Sequence, residues 1–297
     1  MFSGVIPAIT TPFRDDLTVD HDALAAHVEW MLVSGCSGIV TPGSLGEGAT
    51  LAFDEKLEIL NTCVASAGEK PVLAAVSALS TAEAVRLARE AERVGCRGLM
   101  ILPPYVYSSD WREMKAHLDA VLHATALPAM LYNNPVAYRT DFLPEQVAEL
   151  SGEHRNLESI KESSTDVRRI TAIRSLIGDR LAIFVGVDDL IVEGMDAGAT
   201  GWIAGLVNAF PRESVELFNL ARRGEREKAL ALYRWFLPLL RLDTVPKFVQ
   251  LIKLVQQEVG RGSERVRPPR LELSGAEREA ALGLIRDAIA SRPEVAA

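Results

Sequence analysis

The feature that most constrains this chain is a repeated alternation. Short, continuously apolar runs stand at 5–9, 38–41, 72–76, 98–102, 129–132, 157–161, 181–185 and 201–204, and a longer helical pattern follows each. Asp20 is placed to cap a helix that carries Leu24, Val28, Met31 and Leu32 on one stripe. Further helices are predicted over 53–67, 81–94, 109–124, 144–150, 166–177, 190–197 and 211–222. Runs that are apolar throughout fit strands buried on both faces. Eight strand–helix units predict an α/β fold, a closed (β/α)8 TIM barrel over 1–223. An open doubly wound sheet shares the alternation, but the strand count favours closure and no dinucleotide glycine fingerprint follows the first strand. Beyond residue 223 the strands stop. Helical patterns at 226–240, 245–259 and 274–290 predict a three-helix C-terminal appendage, 224–297, packed on the barrel, because no long polar linker isolates it.

With 48% hydrophobic residues the chain can bury a sizeable core. Its net charge of −8 disfavours a nucleic-acid or acidic-membrane partner, which needs a basic face. Cys36, Cys63 and Cys96 are far apart with no CxxC spacing, so they read as core residues rather than zinc ligands or a disulfide framework. His21, His27, His117, His123 and His154 form no HExxH pattern and read as surface or helix-face residues, so no metal is expected. No apolar run reaches membrane-spanning length, and the first residues carry no basic segment followed by an apolar run. A soluble cytoplasmic protein is therefore expected.

In such barrels the active site is built from the loops at the carboxyl ends of the strands. Lys161 ends the sixth run, in Glu158-Ser159-Ile160-Lys161-Glu162-Ser163-Ser164. At the mouth of a strand core it is partly desolvated. That disfavours the ammonium, lowers its pKa and leaves a neutral amine able to attack a ketone and form a Schiff base. Tyr132 ends the adjacent fifth run, and a phenol beside an amine suits carbinolamine chemistry, in which protons move to and from the substrate. The loop Gly43-Ser44-Leu45-Gly46-Glu47-Gly48 can present backbone N–H groups to an anion, with the Ser44 hydroxyl as a further donor to the same carboxylate. It lacks the Gly-Lys-Ser/Thr of a nucleotide phosphate loop. Asp188-Asp189 reads as a capping pair rather than a magnesium site.

These motifs carry a family resemblance over nearly the full length. Gly4-Val5-Ile6-Pro7-Ala8 with Thr10-Thr11-Pro12-Phe13, Gly43-Ser44-Leu45-Gly46-Glu47, Tyr132-Asn133-Asn134-Pro135, Ile160-Lys161-Glu162-Ser163, Gly186-Val187-Asp188 and the Gly201 segment resemble the dihydrodipicolinate synthase / N-acetylneuraminate lyase group of class I aldolases. The resemblance implies a homotetrameric barrel with no metal or other cofactor. It implies a covalent imine between Lys161 and pyruvate or another 2-keto acid, with Tyr132 shuttling protons. It further implies that Ser44 and the following amide, that of Leu45, hold the keto-acid carboxylate, and that the carbonyl of Ile203 faces the bound acid.

Three departures bear on the substrate. The synthases have two adjacent hydroxyl residues in the glycine loop, the second in a proton relay; here the second is Leu45. A relay tyrosine that the synthases donate across a subunit interface aligns with Val106, between Tyr105 and Tyr107. The synthase arginine that holds the second substrate follows the proline by two residues, whereas Arg139 lies four after Pro135. These changes argue against lysine biosynthesis. The chain is more similar to the 1-pyrroline-4-hydroxy-2-carboxylate deaminases of hydroxyproline degradation. It shares their 43–48 loop, Ala137-Tyr138-Arg139, Lys161-Glu162-Ser163-Ser164 with Asp166-Val167-Arg168-Arg169, the stretch 201–211 and Val266-Arg267-Pro268-Pro269-Arg270. In that reading the lysine attacks the cyclic imine carbon next to the carboxylate. Ring opening, loss of the 4-hydroxyl and hydrolysis then release ammonia and 2-oxoglutarate semialdehyde. A 4-hydroxy-tetrahydrodipicolinate synthase and a 2-keto-3-deoxy sugar acid aldolase or dehydratase share the imine intermediate. A non-catalytic keto-acid sensor rests on Leu45 and Val106, and a phosphate-sugar barrel lacks a basic partner near Gly205.

Overall fold

The structure, a computed structural model, describes residues 2–104 and 110–295. Among these, eight parallel strands pair in the order β1-β8-β7-β6-β5-β4-β3-β2: β1 (Gly4–Pro7), β2 (Ile39–Thr41), β3 (Val72–Val76), β4 (Gly98–Ile101), β5 (Ala129–Asn133), β6 (Leu157–Glu162), β7 (Ala182–Val185) and β8 (Gly201–Ala204). The seam between β1 and β2 is closed by a bridge between Ala8 and Val40 and by the Ile9 N–H on the Val40 carbonyl, 3.1 Å. The sheet is therefore a barrel, and pairing of β1 with β8 rules out the open alternative. Apolar side chains on both faces of each strand explain the continuous runs. Those facing outward join one large core under the helices, while Ile6, Leu73, Met100, Met130, Phe184 and Ile203 fill the interior.

The helices are α1 (His21–Val33), α2 (Phe53–Ala67), α3 (Thr81–Val94), α4 (Trp111–Leu122), α5 (Pro135–Tyr138), α6 (Pro144–Glu153), α7 (Arg168–Ile177), α8 (Ile191–Asp196), α9 (Pro211–Arg222), α10 (Arg226–Leu240), α11 (Phe248–Glu258) and α12 (Gly275–Ala290). Their starts follow local chemistry. Asp20 accepts the Ala23 N–H at 3.1 Å to begin α1, and Ser80 accepts the Glu83 N–H at 3.2 Å to begin α3. The one-turn α5 after β5 has no counterpart in the sequence expectation. The stretch expected to be helical from 245 starts at Phe248, after a 3-10 turn at Arg241–Asp243.

The last three helices lie against the barrel. Phe210, ahead of α9, meets the rings of Trp235 and Phe236 in α10 edge-on, each at 5.8 Å. On α11, Lys253 is buried and bonds the Glu47 carboxylate of the glycine loop at 2.6 Å and the Arg265 carbonyl at 2.7 Å. Arg267 holds both oxygens of Glu55 at 2.8 and 2.9 Å. No helix among the described residues is long and apolar enough to cross a membrane.

Candidate active site

The carboxyl ends of the strands open onto a cavity of about 510 Å³. Lys161 enters it from β6 and Tyr132 from β5, where the two are register partners. Side chains alternate across a strand, so Met130, Tyr132, Ser159 and Lys161 point inward together. Lys161 Nζ lies 4.1 Å from the centre of the Tyr132 ring. Both residues are buried, at 7% and 6% exposure. Gly186, after β7, makes room for the lysine stem. A Cβ there would stand 2.7 Å from Lys161 Cγ and Cε and 2.0 Å from Ser163 Oγ.

Burial pulls the Lys161 ammonium below the ordinary lysine range, opposed chiefly by the charge of Asp243 and then by Tyr138 and Asp188. Burial pushes the Tyr132 phenol up to about 12, while the hydrogen bond it accepts from Asn134 Nδ2 at 3.0 Å works the other way. The cavity thus holds an amine that loses its proton more readily than a free lysine, next to a phenol that keeps its own at neutral pH. Carbinolamine formation needs that pairing of nucleophile and acid.

Around this pair the sequence candidates divide. Ser44 lines the cavity and shares a short hydrogen bond with the Tyr138 hydroxyl. Tyr138 comes from α5, and its ring stands edge-on to Tyr132 with centroids 5.8 Å apart. Leu45 and Ile203 are buried and line the same cavity. Arg139 does not join them. It ends α5 with φ 58°, is exposed and is absent from the described cavity lining. Tyr105, Val106 and Tyr107 lie outside the described residues.

Two sequence candidates serve the scaffold. Thr10 donates to Gln256 on α11 at 2.8 Å, and Thr11 donates to the Gly46 carbonyl at 2.6 Å. Asp188 is a cap, though for the turn after the neighbouring strand β8: it accepts Trp202 Nε1 at 3.1 Å, the Gly205 N–H at 3.1 Å and the Leu206 N–H at 2.8 Å. Burial raises its carboxyl to about 6. Tyr138, Asp243 and Arg270 also line the cavity, although sequence reasoning gave none of them a place there. Asp243 comes from a segment read only as part of a helical appendage, and Arg270 from the 266–270 stretch, read only as a motif of the family resemblance. Among the described residues, Asp119, Glu153 and His154 bring ligand atoms within 4.8 Å of one another, but the Lys115 ammonium already bridges Asp119 and Glu153.

Residues 1–288 match the Dihydrodipicolinate synthetase family. The chain is 37% identical over 296 residues to a 4-hydroxy-tetrahydrodipicolinate synthase of Xanthomonas axonopodis pv. citri, covering 97% of this chain and 95% of that one. It is 31% identical over 288 residues to the enzyme of the same name from Geobacter metallireducens, covering 97% and 99%. Among solved structures, a putative dihydrodipicolinate synthetase from Pseudomonas aeruginosa superposes with a TM-score of 0.92 at 31% identity, covering 97% of this chain and 99% of its own. YagE, a prophage protein of the dihydrodipicolinic acid synthase family from E. coli K12 solved in complex with pyruvate, gives 0.91 at 25%, covering 97% and 99%. Full-length agreement in sequence and in barrel, around a buried lysine at a strand end, admits one assignment: the chain belongs to the dihydrodipicolinate synthetase family, lyases of class I that work through a lysine Schiff base with a keto acid and no metal cofactor.

Proposed function

We propose that Lys161 is the imine-forming residue and that the substrate is 1-pyrroline-4-hydroxy-2-carboxylate, which the protein deaminates. The observation that carries the first part is the Lys161 amine, buried and 4.1 Å from the Tyr132 ring inside the cavity. Tyr132 moves protons between the substrate oxygen, its α carbon and water. Ser44 and the Leu45 amide take the substrate carboxylate, and Ile203 faces the bound acid from β8. The substrate follows from what the cavity wall offers. Leu45 cannot relay a proton to an incoming aldehyde, and Arg139 is exposed and absent from the described cavity lining. A single cyclic imino acid needs neither. The oligomer implied by the family resemblance, a homotetramer, is tested by light scattering of the purified protein.

The relatives favour a second reading, 4-hydroxy-tetrahydrodipicolinate synthase, the name borne by curated relatives, one of them 37% identical. Product analysis decides between them. Ammonia and 2-oxoglutarate semialdehyde from the pyrroline support deamination, whereas consumption of pyruvate with aspartate semialdehyde supports the synthase. For either, borohydride reduction in the presence of pyruvate places an adduct on the peptide containing Lys161. Lys161→Ala abolishes both adduct and turnover while the circular dichroism spectrum stays that of the parent. An adduct on another lysine removes the proposal.

A further inference from the structure

Asp243 closes the 3-10 turn Arg241–Asp243 between α10 and α11, outside the barrel strands, yet it lines the cavity. Its Oδ1 is shielded from solvent and has no hydrogen-bond partner. The same oxygen stands 2.1 Å from the place a Cβ on Gly205 would take, so it lies directly over the residue that follows β8. Asp188, beside it, is saturated by the indole of Trp202 and the amides of Gly205 and Leu206. A buried carboxyl oxygen with no donor is unfavourable unless a ligand supplies one.

Several other polar groups of the cavity are engaged, although Ser163 Oγ, like Asp243 Oδ1, is buried without a partner. Ser44 and Tyr138 bond each other, and Tyr132 takes Asn134 while lying against the lysine. The Leu45 side chain offers no polar atom. Burial, and then the neighbouring Asp188 carboxylate, push Asp243 well above the usual carboxylate range, which favours its protonated form. It lines the same cavity as Lys161, and in its ionised form it is the charge that most favours the ammonium there.

We propose that Asp243 is a catalytic acid that binds the hydroxyl on the carbon β to the Schiff-base carbon and protonates it as it departs, selecting 4-hydroxylated 2-keto or 2-imino acids. This rests on Lys161 as the imine-forming residue. Imine formation leaves Tyr132 as a phenolate, having given its proton to the departing carbinolamine oxygen. The phenolate takes the α proton and an enamine forms. The enamine nitrogen's electron pair then pushes through the double bond, the C4–O bond breaks with its electrons passing to oxygen, and Asp243 gives that oxygen its proton. Water leaves, a conjugated iminium remains on Lys161, and the Asp243 carboxylate takes back the proton released when water hydrolyses that iminium. No oxidant or reductant enters.

The test uses the full chain, 4-hydroxy-2-oxobutanoate and pyruvate, with borohydride trapping and mass measurement of the Lys161 peptide. The parent protein is expected to yield an adduct one water lighter than the intact hydroxy acid. Asp243→Asn, nearly isosteric, is expected to yield the intact hydroxylated adduct, with the dehydrated fraction down by about tenfold or more. Pyruvate trapping persists in both, reporting an intact fold and amine. Dehydration at the parental rate in Asp243→Asn overturns the proposal. So does a parent that gives only intact adduct or adduct cleaved to pyruvate, or an Asn variant that no longer traps pyruvate. A parent that traps neither acid removes the Lys161 reading and this one with it, whereas trapping that ignores Asp243 removes this one alone.

Discussion

Lys161 and Tyr132 owe their shifted protonation to burial first, with neighbouring charges and hydrogen bonds as smaller corrections. On the proposed mechanism Tyr132→Phe keeps the ring against the amine but removes the proton. We expect turnover to fall by about two to four orders of magnitude, the usual size of proton-transfer catalysis. Steady-state kinetics on the pyrroline check this, and a loss under about threefold argues against the shuttle role. Lys161 and Tyr132 were legible in the sequence because each ends an apolar run, and a strand end in a barrel faces the site. Ser44 was legible as a donor in the glycine loop, whereas Leu45 and Ile203 were put at the site by the family resemblance. Arg139, four residues after Pro135, was set apart from the synthase arginine by that spacing. Residues 135–138 curl into α5, and Arg139 leaves it in a left-handed conformation, exposed. Asp243 was not legible, because its segment reads as a break between two helices and nothing local says that the break faces the barrel mouth.

The eight strands and the long helices were readable from periodicity, with several boundaries reproduced to the residue, as in α2, α3 and α9. Shifts arose where side chains compete with helical backbone. Asp166 bonds the Arg168 N–H at 3.1 Å and its guanidinium at 2.7 and 2.8 Å, so α7 starts at Arg168 rather than 166. The missing element, α5, is one turn long and too short for any period to reveal. It depends on Asn134, whose Oδ1 caps the Ala137 N–H at 3.0 Å while its Nδ2 donates to Tyr132. Asn134→Ala removes both bonds. A lost cap costs about 1 kcal/mol, which a helix of this length cannot absorb. Tyr138 then loses its place against Tyr132 and Ser44, and we expect kcat/KM to drop by about tenfold with global unfolding shifted by no more than about 1 kcal/mol. Unchanged kcat/KM would show that α5 has no part in the site.

Across the whole molecule, the Glu47–Lys253 pair ties the glycine loop to α11, with both residues essentially buried. Glu47 holds φ 57°, and its second oxygen accepts the Arg267 N–H at 3.0 Å. Burial pulls the Lys253 ammonium down to about 8, against the attraction of Glu47, from an ordinary value of 10.5. Between those values the unfolded chain binds more protons than the folded one, so stability rises with pH. The cost of the charged lysine is therefore felt in full below about pH 8 and is relieved above it, on the order of 3 kcal/mol if the whole interval is crossed. Cys36 and Cys96, pushed up to about 12 by burial, act in the opposite sense above their ordinary 9.0. Denaturant unfolding between about pH 8 and pH 9 should therefore show rising stability that is lost in the Glu47→Gln, Lys253→Met double variant. An equal slope in both proteins refutes the assignment. The same tie has a consequence for biosynthesis. When a ribosome has released residues 1–223, every strand exists, but Glu47 has no counter-ion and the cavity lacks the wall that Asp243 and Arg270 supply. A nascent barrel therefore carries a reactive amine in an unfinished vessel, and competence arrives only when translation has moved past the helices that close it.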